Sequence, residues 1–172
     1  MEMKKDKVTL QRIQLLHPKL REEAAEIYDE ICSRLTGNTT VRFTNTIRTF
    51  SEQDALFAQG RTKAGRVVTM ARGGQSYHNF GLAIDFCLLI DKNNDWIYEE
   101  ASWDSKRDSD KDGIADWMEV VAVFKMYGWK WGGDFKTFKD GPHFEKTFGY
   151  TTPQLRKLFI DKKVDKNNYV LI

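Results

Sequence analysis

Two histidines and two aspartates in this chain combine residue types and spacings that metal chemistry uses. His78 and Asp85 lie seven residues apart in QSYHNFGLAIDF (75–86), and Asp140 and His143 lie three apart in DGPHF. On a strand, side chains of one parity share a face, so Ala83, Asp85 and Cys87 point one way while Leu82, Ile84, Phe86 and Leu88 point the other. Asp85 then faces a site with apolar residues behind it, and Gly81 lets the backbone turn so that His78 converges on it. Two imidazoles and one carboxylate are a donor set of catalytic zinc sites, which leave a fourth position open for water. The remaining carboxylate, Asp140, is placed to take a proton from that water. Taken alone, this spacing is less specific than paired CxxC motifs, and hydrogen-bonded structural roles for the same residues stay open.

A second cation pattern follows. The run Asp108-Ser-Asp110-Lys-Asp112-Gly113-Ile114-Ala-Asp116-Trp-Met-Glu119 matches the calcium loop D-x-D-x-D-G-x5-E at every specified place. Calcium takes roughly six to eight oxygens. The loop offers the carboxylates of Asp108, Asp110 and Asp112, the carbonyl of Ile114, Asp116 and a bidentate Glu119, with Gly113 at the sharp turn. Residues 96–106 show no entering helix, so the expectation is a loop with only an exiting helix, inserted in the domain. A solvated acidic loop is the alternative. Other candidates are weaker. Cys87 as a nucleophile or a further zinc ligand sits among apolar residues, where a thiol is inert. Glu145, which alternates onto the face of His143, is a rival base. His17 reads as a surface residue.

These side chains need elements to hold them. Leu20, Ala24, Ile27, Tyr28, Ile31 and Leu35 recur at helical spacing, predicting a helix that stops at Gly37. Residues 40–48 alternate and are β-branched, a strand, and Ser51 is a good N-cap for a short helix to about Gln59. The glycine-rich, basic stretch 60–75 reads as an exposed loop, 82–90 as a central strand, and 117–127 as a helix ended by Gly128. Residues 129–133 and 142–146 look like two short strands or turns, and 152–159 like a last helix with Pro153 at its first position. The tail 161–172 reads only as a surface segment. The sum is an α+β domain with a small central antiparallel sheet and flanking helices.

Composition narrows the function classes. A chain of 172 residues that is 41% hydrophobic and 13% aromatic can bury one core, giving a single domain over 1–172. With 27 basic and 25 acidic side chains, the net charge of +2 leaves no electrostatic footprint for nucleic acid. No run of about 18 apolar residues is present, which argues against membrane insertion. The start MEMKKDKVTL is charged with no apolar segment after it, predicting a chain made in the cytoplasm without a signal peptide. Its two cysteines, Cys32 and Cys87, are expected as free thiols.

Ser76-Tyr-His78-Asn-Phe-Gly81-Leu-Ala83-Ile-Asp85 resembles the SxHxxGxAxD signature of the VanY- and VanX-like zinc peptidases, which include D-alanyl-D-alanine carboxypeptidases and phage L-alanyl-D-glutamate endolysins. Asp140 to His143 resembles their second motif, an acidic residue three positions before the last ligand. Residues 47–62 and 68–76 look most like the endolysin branch. The resemblance spans roughly 42–145. It implies a hedgehog/DD-peptidase-like fold, zinc on His78, Asp85 and His143, Asp140 as general base, Arg48 on the scissile carbonyl or its oxyanion, and Ser76 near the substrate. VanX-like members carry Glu where this chain has Asp140. The activity so implied is cleavage of the peptidoglycan stem peptide by a monomeric endolysin that acts on the cell wall after release. The alternatives are a D,D- or L,D-carboxypeptidase and an inactive calcium-dependent wall-binding module.

Overall fold

A computed structural model describes residues 5–172; the first four residues of the charged start lie outside it. Helix α1 (Lys7–Ile13) begins at Asp6, whose carboxylate accepts from Thr9 N at 2.9 Å. Sequence reading passed over α1, because it is short and carries few apolar residues. Asp6 also holds Arg42 of strand β1 (Thr39–Asn45) at 2.7 Å, which fixes α1 against the sheet. Between them, α2 (Arg21–Arg34) buries Ala24, Ile27, Tyr28 and Ile31, the predicted stripe.

Helix α3 (Phe50–Ala58) is capped by Thr49, not Ser51. The Thr49 hydroxyl accepts from Glu52 N at 3.2 Å, and the Glu52 carboxylate accepts from Thr49 N at 2.7 Å. This reciprocal box satisfies two helix-end donors, which a serine inside the first turn cannot do. Strand β2 (Ala83–Ile90) follows the exposed loop, then the short β3 (Glu100–Ser102). Helix α4 (Asp116–Met126), β4 (Lys130–Trp131), β5 (His143–Glu145) and α5 (Thr152–Ile160) complete the chain. No entering helix stands before the acidic loop, as expected.

The sheet is antiparallel throughout, in the order β1-β2-β5-β4, with β3 pairing the far end of β2. One face carries Phe43, Ile84, Phe86, Leu88 and Phe144 into the core, all at 0% exposure. Phe124 of α4 stacks on Phe144 at 3.9 Å between centroids, and Trp117 lies 4.2 Å from Phe86. The parity expected for β2 therefore holds for its core face. On the opposite face Ala83 and Cys87 are buried too, and in β2 only Asp85 keeps partial exposure.

His17 is not a surface residue. It is 4% exposed, and its Nε2–H donates to Val170 O at 2.9 Å. That contact draws the C-terminal tail onto the body, with Val170 buried. Among the described residues, no helix is long and apolar enough to cross a membrane.

Candidate active site

Asp85 and His143 sit directly opposite each other in the β2–β5 ladder, and Ala83 faces Glu145 two residues along. Opposed residues in an antiparallel pair share a face, so pairing alone puts Asp85, His143 and Glu145 side by side. His78 lies outside the strand and reaches the site across a turn at Gly81, as the sequence reading expected. It lies in a 3-10 turn, Tyr77–Phe80, that ends at Gly81 in the left-handed region (φ +68°). A side chain at Gly81 would press on His17 N at 2.8 Å, so position 81 has no room for a Cβ. The turn starts at Ser76, whose hydroxyl accepts from His78 N at 3.3 Å.

Three donor atoms meet: His78 Nε2 to Asp85 Oδ1 is 3.0 Å, His143 Nδ1 to Asp85 Oδ1 is 3.1 Å, and His78 Nε2 to His143 Nδ1 is 3.2 Å. A tetrahedral zinc with ligands at about 2.0–2.1 Å requires ligand edges of about 3.3 Å. The donor triangle fits that ion closely. The tautomers agree as well. His78 Nδ1–H points to Thr46 O at 3.3 Å, and His143 Nε2–H to Glu145 Oε2 at 3.2 Å. Each ring therefore turns a lone pair toward the common point. A β-bulge between Phe43 and Asn45 bends the end of β1 and carries Thr46 to its place behind His78.

Charge is concentrated here. Burial pushes the Asp85 carboxyl upward, but His78 and His143 outweigh it and hold Asp85 well below the usual range. Burial lowers His143, yet its bonds to Asp85 and Glu145 prevail and take it to about 9 in the metal-free arrangement. Asp140 is raised, first by burial and then by the Asp85 charge. It enters the site through Gly132: Asp140 N donates to Gly132 O at 3.0 Å, and a Cβ at 132 would lie 2.3 Å from Asp140 O. Asp140 makes no side-chain hydrogen bond in the described structure, whereas the Glu145 carboxylate is engaged by His143. The free carboxylate, not the engaged one, is equipped to accept a proton from water.

Arg48 lies 3.6 Å from Asp85 Oδ2 and is steered by Gln53, whose Oε1 accepts from Arg48 Nη1 at 2.8 Å. Gln53 is fully buried, and its amide donates to Ala71 O at 2.8 Å and Thr69 Oγ1 at 3.2 Å, tying one wall of the cleft to α3. Asn79 accepts from Gly74 N and Ser76 N and donates to Arg48 O at 2.9 Å. The cleft above the donor triangle measures about 700 Å³. Val68, Thr69 and Met70 line one side, and Trp103, Phe135 and Phe138 are also among its lining. Arg61 and Arg72 of the basic loop turn away onto the ring of Phe57, at 3.9 and 4.7 Å.

With this geometry stand the comparisons with known proteins. The profile of the D-alanyl-D-alanine carboxypeptidase family, peptidase M15, matches residues 69–146. The peptidoglycan L-alanyl-D-glutamate endopeptidase CwlK of Bacillus subtilis is 45% identical over 130 residues, covering 76% of this chain and 72% of CwlK. This chain belongs to the M15 peptidase family. An L-alanyl-D-glutamate peptidase of Listeria phage A118 is 33% identical over 114 residues, 65% of this chain but 32% of the phage protein. The solved L-Ala D-Glu endopeptidase ChiX of Serratia marcescens shares the fold at a TM-score of 0.53 and 17% identity, covering 83% of this chain and 88% of ChiX.

Within this M15 domain the predicted residues divide. His78, Asp85 and His143 form one candidate metal site, and Arg48, Ser76 and Asp140 line the same cleft. Ser76 caps the turn that carries His78. Thr46, Gln53, Asn79 and Glu145 were not legible as supports. Only Glu145 left a trace, through its parity with His143, and it was read there as a rival base.

The acidic loop lies apart. Asp108, Asp110 and Asp116 offer oxygens within 4.8 Å of one another, a grouping that leaves out Asp112 and Glu119. Gly113 N donates to Asp108 Oδ2 at 3.0 Å and Ile114 N to Asp112 Oδ1 at 2.7 Å. Asp108 Oδ1, Asp116 Oδ2 and Glu119 Oε2 are buried without a hydrogen-bond partner, and Asp116 and Glu119 are 1% and 8% exposed. Glu119 is pushed up to about 7, by burial first and then by Asp110, Asp112 and Asp116. Cys32 and Cys87 are free thiols.

Proposed function

We propose that this chain is a zinc-dependent peptidoglycan peptidase that cuts the stem peptide between L-alanine and D-glutamate. The observation that carries this reading is the donor triangle of His78, Asp85 and His143 with a free Asp140 above it, in a chain 45% identical to an endopeptidase of that specificity. His78 Nε2, Asp85 Oδ1 and His143 Nδ1 would hold the zinc ion. When bound, zinc supplies Lewis acidity for water and for an amide carbonyl. Asp140, with its raised affinity for protons, accepts one from the attacking water and returns it to the leaving amine. Arg48 stabilises the negative charge that develops on the carbonyl oxygen. Val68, Met70, Trp103 and Phe138 line the cleft and are exposed, so they offer apolar surface to a bound peptide. Ser76 acts by presenting His78.

The chain acts as a monomeric endolysin on the peptidoglycan of the cell wall. The acidic loop is a calcium site on Asp108, Asp110, Asp112, the Ile114 carbonyl, Asp116 and Glu119. Three buried carboxylate oxygens without hydrogen-bond partners support it, since such atoms are costly unless a cation or water meets them; of these, Asp116 Oδ2 has Arg107 Nε at 3.9 Å.

Muropeptide digestion followed by mass spectrometry, with zinc quantified, tests the reading. Wild type should carry about one zinc per chain and split each muropeptide into a muramoyl-L-alanine part and a released peptide that begins with D-glutamate. Asp140→Asn should keep the zinc and lose about 10²–10⁴-fold in kcat. Release of free D-alanine instead would favour the D,D-carboxypeptidase activity named by the family description. Zinc binding without cleavage of either bond would leave a binding module and overturn the peptidase reading.

A further inference from the structure

The two histidines of the donor triangle are held from behind by unequal groups. His78 Nδ1 meets a neutral carbonyl, Thr46 O at 3.3 Å, whereas His143 Nε2 meets a carboxylate, Glu145 Oε2 at 3.2 Å. Glu145 is half-hidden in the cleft floor, with its side chain 12% exposed. Its placement follows from the sheet: β5 puts residues 143 and 145 on one face, and their partners Asp85 and Ala83 keep that register. Ala83, the residue opposite Glu145, is buried. Among the described residues, no lysine or arginine is within ion-pair distance of the Glu145 carboxylate, which is engaged by His143.

We infer that Glu145 is the positioning residue of the metal site: its carboxylate fixes His143 as the Nδ1 ligand and makes that nitrogen a stronger donor. This rests on the zinc reading above and adds a residue outside the donor triangle. A ring nitrogen ligates only while the opposite N–H is bonded elsewhere, and a charged acceptor also enriches the ring in electron density. A residue acting this way controls metal retention. The rival role, general base, would control turnover instead.

The two roles separate in Glu145→Gln and Glu145→Leu, measured on the full chain. Zinc affinity is read by competition with a chromogenic chelator. Cobalt substitution gives the visible band of the bound ion as an independent report of ligand geometry. Leucine should weaken zinc binding about 10–100-fold, the range seen for such supports, and shift or weaken the cobalt band. Glutamine keeps an acceptor oxygen without the charge and should recover part of that loss. Activity lost at limiting zinc should return as zinc is added. Urea unfolding of the metal-free variants checks that the fold is kept, and a Leu variant that does not fold leaves the Gln comparison to decide. Unchanged zinc affinity in both variants overturns the inference. So does intact affinity with turnover that stays lost at saturating zinc, which makes Glu145 a base. Wild type that binds no zinc would instead refute the reading on which it rests.

Discussion

Replacing Glu119 by glutamine puts the acidic loop to a test with an uncommon sign. Glu119 holds its proton up to about pH 7 in the fold, against an ordinary 4.5, because it is buried and faces Asp110, Asp112 and Asp116. A carboxyl raised in this way is ionised in the unfolded chain before it is ionised in the native one. Its native state therefore binds more protons between those values, and stability falls as pH rises from about 4.5 to about 7. A shift of about 2.5 pH units corresponds to about 3.4 kcal/mol at full strength. Solvent at the loop mouth screens part of this, leaving roughly 1–2 kcal/mol. In a chain of this size each kcal/mol moves the melting point by about 2–4 °C. Metal-stripped Glu119→Gln should thus melt about 2–8 °C above wild type at pH 8, and the two should converge at pH 4. Calcium should reverse the order. At one hundred times Kd, a ligand adds about 2.7 kcal/mol to the protein that binds it, and the variant lacks the bidentate carboxylate that closes the site. Thermal melts from pH 4 to 8, with and without calcium, measure both effects. A variant less stable than wild type at every pH, or one raised by calcium as much as wild type, would refute the reasoning.

Three further outcomes are expected. Arg48→Lys should cost about 10²–10³-fold in kcat with a small change in KM, because a point charge cannot reproduce the forked donor held by Gln53; an effect confined to KM in steady-state kinetics would contradict the oxyanion role. Glu23→Gln should lower stability by about 1–2 kcal/mol in urea titrations. It removes the charge that Lys146 Nζ meets at 2.6 and 2.7 Å while Trp129 Nε1 keeps an acceptor, and an unchanged midpoint would show that network to be solvated. Native protein treated with iodoacetamide at pH 8 should keep its activity with Cys87 unmodified, since burial pushes that thiol up to about 11. Labelling of Cys87 with loss of activity would revive a cysteine nucleophile.

Much of the fold was legible in the chain because its signals are local. The helix over α2 follows from apolar spacing, the end of α4 from Gly128, and the core face of β2 from alternation. Where reading failed, a contact distant in sequence had intervened. His17 is polar and precedes a proline, so it reads as exposed, yet the tail residue Val170 covers it. The α3 cap is a local exception: Ser51 and Thr49 are both capping types, and the reciprocal bonds between Thr49 and Glu52 place the cap at Thr49. The turn that carries His78 is tied to the start of α3 by Asn79, which bonds Gly74, Ser76 and the distant Arg48, and that tie left no local signal.

The sequence by itself determined the chemistry on offer: two imidazoles, two carboxylates, an arginine and an acidic loop, each at a spacing set by residue type. Only the tertiary structure decided their division of labour. Antiparallel pairing of β2 with β5 placed Asp85 against His143, 58 positions apart. The same pairing engaged Glu145 with His143, while the Asp140 side chain makes no hydrogen bond, and the proposed roles of support and base rest on that difference. Protonation and metal affinity depend on distances of a few ångströms between charged groups, and such distances are set by packing rather than by order along the chain.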